Sequence, residues 1–182
     1  MTATLPYHRV NILTGTKAAR LIEDAEEYAN LIKRAKRPLL VLGARILTMS
    51  LDEKLLIEYA IDIAKVANIP ICATAHTQKK LIELGVVPDS SYDIIEILNH
   101  LKDPEWQGVK KEGNHDLVMF LGLRTDLGEQ GLSTLKHFAP HLKTMTLCKY
   151  YYPHASYSLP NFRKDSQWKE FIDNLITNLK EA

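Results

Sequence analysis

An open, mostly parallel, doubly wound α/β sheet with helix layers on both sides is the fold class this 182-residue sequence predicts. Three observations predict it. Short apolar runs end or fill the segments Leu39–Leu42, Ile71–Thr74 and Asp116–Gly122, as expected of parallel strands buried on both faces. Helical spacing of apolar residues occupies the stretches between them, which is the β-α-β signature, because parallel strands need a crossover and a helix is the usual one. The chain is 46% hydrophobic and 25% charged, ordinary globular composition, so it is neither disordered nor fibrous and supports one domain over residues 1–182.

The elements follow in order. Ala18, Leu21, Ile22, Ala25, Ala29 and Ile32 recur at steps of three and four, predicting an amphipathic helix over about 16–35. Lys33, Arg34, Lys36 and Arg37 suit the carbonyl end of its dipole, and Pro38 forbids continuation. Leu39-Leu40-Val41-Leu42-Gly43 is the candidate central strand. Ser50, with Glu53 three residues on, reads as a capping box that opens a second helix running to about Ala67. Asn68-Ile69-Pro70 breaks that helix and leads into the strand Ile71–Thr74. A short helix from about Thr77 to Leu84, turn residues Gly85 to Asp89 and a helix from about Tyr92 to Leu101 come next. Lys102–Asn114, with Pro104, Gly108 and Gly113, reads as an exposed connection whose Trp106 either tucks under the loop or meets a partner. After the strand Asp116–Gly122, Leu132–Phe138 is helical and ends near Pro140. Lys143–Cys148 alternates polar with apolar residues, predicting a strand nearer the sheet edge. Phe171, Ile172, Leu175, Ile176 and Leu179 predict a C-terminal helix over about 166–181, capped by Asp165 or Ser166. Five or six strands result.

Composition also excludes functions. Lys plus Arg number 23 against 22 Asp plus Glu, so no basic face for nucleic acid is expected. Two cysteines, Cys72 and Cys148, are too few to hold an iron–sulfur cluster or a structural zinc alone, and they read as buried small residues. Pro6, Tyr7, His8 and Arg9 interrupt the place a signal peptide would need an apolar run, and no apolar run has membrane-helix length. The expectation is a cytoplasmic chain with reduced thiols and no membrane partner.

In doubly wound sheets ligands bind outside the carboxyl ends of the strands, where the strand order reverses. Three exits are therefore candidate cofactor-binding loops: Gly43-Ala44-Arg45, Thr74-Ala75-His76 and Gly122-Leu123-Arg124. Glycine lets the backbone approach a ligand, amides near a helix N-terminus suit a pyrophosphate, and Arg45 and Arg124 would add positive charge. Equally, glycine ends buried strands simply because the chain must turn, and Ala44 and Arg45 break the G-x-G-x-x-G fingerprint. No catalytic residue and no metal site emerge, since Pro140 separates His137 from His141. The aromatic stretch Tyr150 to Phe162 either covers the sheet or meets a partner.

Taken together, Ala35-Lys36-Arg37-Pro38 into Gly43, the helix to Ala67, Asn68-Ile69-Pro70 into Thr74, the Asp103-Pro104-Glu105-Trp106 loop, the Asn114-His115-Asp116 lead-in and Leu142–Thr146 resemble the epsilon-subunit family of archaeal acetyl-CoA decarbonylase/synthase complexes. The resemblance spans nearly the whole chain. It implies a three-layer Rossmann-like domain, similar to FAD- and NAD-binding domains and to the central domains of thiamine enzymes. It further implies an accessory role in one-carbon metabolism and methanogenesis. The partner is then a large alpha subunit carrying nickel and iron–sulfur clusters, two alpha with two epsilon, acting as carbon monoxide dehydrogenase within a larger complex. Help in passing electrons to FAD, held at the strand exits, is also implied. The alternative is a free-standing FAD/NAD or thiamine-type nucleotide-binding domain of an oxidoreductase.

Overall fold

The computed structural model describes residues 17–74 and 76–181. Along the chain run β1 (Arg20–Leu21), α1 (Ala25–Arg34), β2 (Pro38–Leu42), one turn of 3-10 helix (Ala44–Leu47), β3 (Ser50–Leu51), β4 (Lys54–Leu55), α2 (Leu56–Ala67), β5 (Ile71–Ala73) and α3 (Thr77–Glu83). Then follow β6 (Ser90–Ser91), α4 (Ile94–Lys102), β7 (Leu117–Leu121), α5 (Thr125–Phe138), β8 (Lys143–Thr146), β9 (Tyr157–Ser158) and α6 (Asp165–Lys180). Seven strands form one sheet in the order β1-β9-β8-β7-β2-β5-β6, and every pairing in it is parallel. Read from β6 to β9 this is the 3-2-1-4-5-6 strand order of dinucleotide-binding domains, with β1 added at the far edge. The fold is the expected three-layer α/β arrangement.

The core is built where the sequence is most apolar. Leu39, Leu40, Val41 and Leu42 of β2 are fully buried, paired on one side with β5 and on the other with β7. α1, α6 and α2 pack together as one helix layer, and α4 and α5 as another. α6 shows why an amphipathic helix docks: Trp168, Phe171, Ile172, Leu175, Ile176 and Leu179 lie on one face and are all buried. Two of the deepest side chains also carry polar handles. Tyr28 Oη donates to Thr146 O at 2.8 Å and Trp168 Nε1 to Leu147 O at 3.0 Å, satisfying carbonyls where β8 ends. Asn68 closes α2 in the left-handed conformation at φ 51°, which Asn tolerates better than most residues.

Several boundaries differ from the sequence expectation. The first helix starts at Ala25, not near residue 16, because Asp24 caps it by accepting from Glu26 N at 2.9 Å. The residues before it are drawn into the sheet, with Arg20 N donating to Ser156 O and Ile22 N to Ser158 O. Ser50 and Glu53 do not cap α2. They sit in a β3–β4 hairpin, and the acid that reaches back is Glu58, which accepts from Leu55 N at 2.9 Å. α5 begins at Thr125 rather than Leu132. β8 is interior, between β7 and β9, because its polar residues are buried in hydroxyl pairs: Thr146 Oγ1 lies 3.1 Å from Ser158 Oγ.

Candidate functional site

The strand order reverses between β2 and β7, so the switch point is where Gly43 and Gly122 leave the sheet. Both glycines are required by close approach. A Cβ on Gly43 would sit 2.4 Å from Gly122 O, and one on Gly122 would sit 2.7 Å from Ile46 N, with Gly122 also at φ 75°. The loops are bonded to one another: Gly43 N donates to Leu121 O at 2.8 Å and Arg45 N to Gly122 O at 3.0 Å. Ile46, wholly buried, sits directly behind them. The amide of Arg45 that a pyrophosphate would need is thus already donated, and a single 3-10 turn replaces the long helix whose N-terminus would face the anion.

The other exits are tied off as well. Thr74 Oγ1 donates to Leu42 O at 2.6 Å, and Thr74 N donates to Thr77 Oγ1 at 2.9 Å, with both threonines buried. Ala75 lies outside the described residues. His76 is exposed at the start of α3 and makes no capping bond. Leu123 is buried, whereas Ala44, Arg45 and Arg124 are exposed. The Arg124 guanidinium is engaged by Asp126, at 2.6 and 3.2 Å, in the first turn of α5. That pairing raises the arginine and lowers the carboxyl from their ordinary values, so the Arg124 charge is already matched by an acid in the first turn of α5. Sequence reasoning missed both Ile46 and Asp126, although an acid two residues after Arg124 was the available signal.

Beside the crossing, a recess bordered by Arg45, Thr125, Cys148 and Tyr152 has a free volume of about 20 Å3, room for one water molecule. Ligand pockets run to several hundred. A hollow of about 470 Å3 does exist between the start of α1 and α6, but Glu23, Asp24, Glu26 and Glu170 line it and would repel a pyrophosphate. The residues present do not fit a flavin or nicotinamide dinucleotide at the switch point.

Cys72 and Cys148 are both buried; Cys72 lies in β5 and Cys148 just beyond β8, its Sγ against Phe120 O of β7, so that β2 stands between the two thiols. Burial raises the Cys72 thiol to about 11 and raises Cys148 too, so both are protonated thiols rather than metal-binding thiolates. Among the described residues, no three His, Cys, Asp or Glu side chains converge on a metal position. His141 instead meets Leu101 O at 3.2 Å. The aromatic stretch mainly covers the sheet: Tyr152 is buried, Tyr151 Oη donates to Ala19 O at 2.7 Å, Tyr157 lies in β9, and Tyr150 alone of these is well exposed. Among the described residues no helix is long and apolar enough to cross a membrane.

The family model described as CO dehydrogenase beta subunit/acetyl-CoA synthase epsilon subunit matches residues 1–176. The chain belongs to this family. It is 39% identical over 164 residues to the acetyl-CoA decarbonylase/synthase complex subunit epsilon of Methanothermobacter thermautotrophicus, covering 90% of each chain. To subunit epsilon 1 of Archaeoglobus fulgidus it is 44% identical over 153 residues, covering 81% of this chain and 80% of the relative. To subunit epsilon 1 of Methanosarcina barkeri it is 34% identical over 166 residues, covering 91% and 92%. In this member of the epsilon family, the dinucleotide strand order is present while the dinucleotide cradle is filled by the chain itself.

Proposed function

We propose that the chain is an accessory, non-catalytic subunit of a multi-subunit acetyl-CoA decarbonylase/synthase complex with carbon monoxide dehydrogenase activity. In this reading it steadies a large alpha subunit that holds the nickel and iron–sulfur clusters, with two copies of each chain. The observation that carries the reading is the self-filled switch point: in a chain of the epsilon family, Gly43 and Gly122 hold two loops together instead of framing a cofactor. The two buried, protonated thiols support it, because two cysteines cannot hold a cluster alone and its ligands must then come from another chain. Electron transfer to FAD at the strand exits is left out of the proposal, since the Arg45 amide and the Arg124 charge are both already engaged.

Purification of the tagged chain from native extract tests the reading. The expected result is co-purification of a large companion rich in nickel and iron, whose carbon monoxide oxidation survives heating longer with the chain bound than without it. Elution as a lone 20.7 kDa species, or carbon monoxide oxidation by the metal-free chain, overturns it. Titration with FAD, followed by flavin fluorescence, is expected to show no saturable quenching; saturable quenching by the isolated chain restores the flavin role.

A further inference from the structure

The loop 103–114 joins α4 to β7 at the end of the sheet opposite the glycine crossing, and the proposed role makes no use of it. Its backbone enters the left-handed region three times, at Gly108 (φ 73°), Lys111 (φ 58°) and Gly113 (φ 109°). Trp106 is tucked in, stacked on His100 of α4 with ring centroids 5.1 Å apart and tilted against His115 at 5.6 Å. His115, at 5% exposure, has both ring nitrogens engaged. Val109 N donates to Nε2 at 3.2 Å, and Nδ1 lies 3.0 Å from Arg37 O. An amide only donates and a carbonyl only accepts, so these two partners fix the neutral imidazole with its proton on Nδ1.

We propose that His115 is a proton-operated latch: its neutral ring ties the loop 103–114 to the entry of β2, and a proton on Nε2 releases the loop. A protonated Nε2 would confront the Val109 N–H, donor against donor, and that tie is lost. The charged and titratable groups around the ring leave it this role. Asp116, at the entry of β7, spends its carboxylate on the amides of Lys36 and Arg37, at 2.8 Å each. Arg37 donates through Nε to Asn114 O at 2.6 Å and keeps its own charge close. His100 is separated from the ring by Trp106, and His141 meets the loop at Asn114, at 3.3 Å. Burial, the largest influence, lowers the imidazole from its ordinary value, while the Arg37 carbonyl and the Asp116 charge oppose it.

The sign follows from linkage. In the open loop the imidazole returns to about 6.5, so the closed loop is favoured above that pH. Below it, the open-to-closed ratio rises by up to tenfold per pH unit, until the lower value of the closed state is reached. An NMR titration of the full chain from pH 8 to pH 4.5 tests this. The expected result is a His115 imidazole midpoint below 6.5, shared by the amide signals of Val109 and Gly113, and unchanged in His100→Gln and His141→Gln. In His115→Asn the loop signals are expected to lose this transition. Loop signals that ignore the His115 midpoint, a transition that follows His100 or His141, or one that survives in His115→Asn overturns the proposal. The wild-type titration and the two control variants decide the matter even where His115→Asn does not fold.

Discussion

At the exit end of the β2–β7 pair, the chain is held by main-chain bonds between two glycine loops, Gly43 N to Leu121 O and Arg45 N to Gly122 O. At the entry end of the same pair, the ties of the loop 103–114 include an imidazole, which accepts from Val109 and donates to Arg37 O, beside the Arg37 Nε bond to Asn114 O and the Lys110–Asp89 ion pair. Peptide groups do not titrate between pH 4 and 9, and histidine does. One end is therefore closed unconditionally and the other conditionally, although both belong to the same two strands. This difference is the lesson for function: the end where such folds hold a cofactor is bonded to itself in this chain, and the proposed adjustable tie lies at the opposite end.

The largest effects should come from breaking the seam. Gly122→Ala combines a positive φ with a Cβ 2.7 Å from Ile46 N and is expected to cost about 3 kcal/mol or more, read as a fall in the urea midpoint. Gly43→Ala should cost a similar amount, because its Cβ meets backbone at Gly122 O, which has no rotamer to yield. Next comes the entry end: Asp116→Ala removes two charge-assisted bonds to the exposed Lys36 and Arg37 amides and should cost about 1 kcal/mol in the same assay. A smaller effect is conditional on pH. Because His115 is lowered in the folded chain, its contribution is complete above about 6.5 and is lost as pH falls toward the folded value. The stability profile of His115→Asn should be flatter than that of the parent between pH 6.5 and 5, measured by chemical denaturation. The smallest effect belongs to Arg124→Ala, which removes an exposed pair and should leave both the urea midpoint and FAD titrations unchanged.

The interior of the fold was readable because β2, β5 and β7 are buried on both faces. An uninterrupted apolar run such as Leu39–Leu42, bounded by Pro38 and Gly43, is too short for a buried helix and too apolar for a surface loop. The edges were not readable for identifiable reasons. β1 and β9 have two residues each, too few to show a period, and Ala18, Leu21 and Ile22 fall by coincidence on the helical spacing of α1. The first half of α5 carries Gly128 and Gly131, which weaken a helix pattern, yet Tyr152 and Leu98 press so closely there that a Cβ would meet them at 3.0 and 2.7 Å. The polar–apolar alternation of β8 suits an edge strand because threonine commonly faces solvent, whereas Thr144 and Thr146 are buried against Ser156 and Ser158. At the candidate site the glycines themselves were legible. Their use was not, since it depends on a contact between two loops distant in sequence that no local pattern encodes.

Native-state amide hydrogen exchange, read at Arg45 and Val109 in one sample between pH 8 and pH 5, tests the contrast most directly. Expressed as protection factors, Arg45 should stay constant across the range, while Val109 should lose up to tenfold per pH unit once the pH passes below about 6.5. Equal loss at both amides, or constancy at both, would contradict the account of one closed end and one latched end.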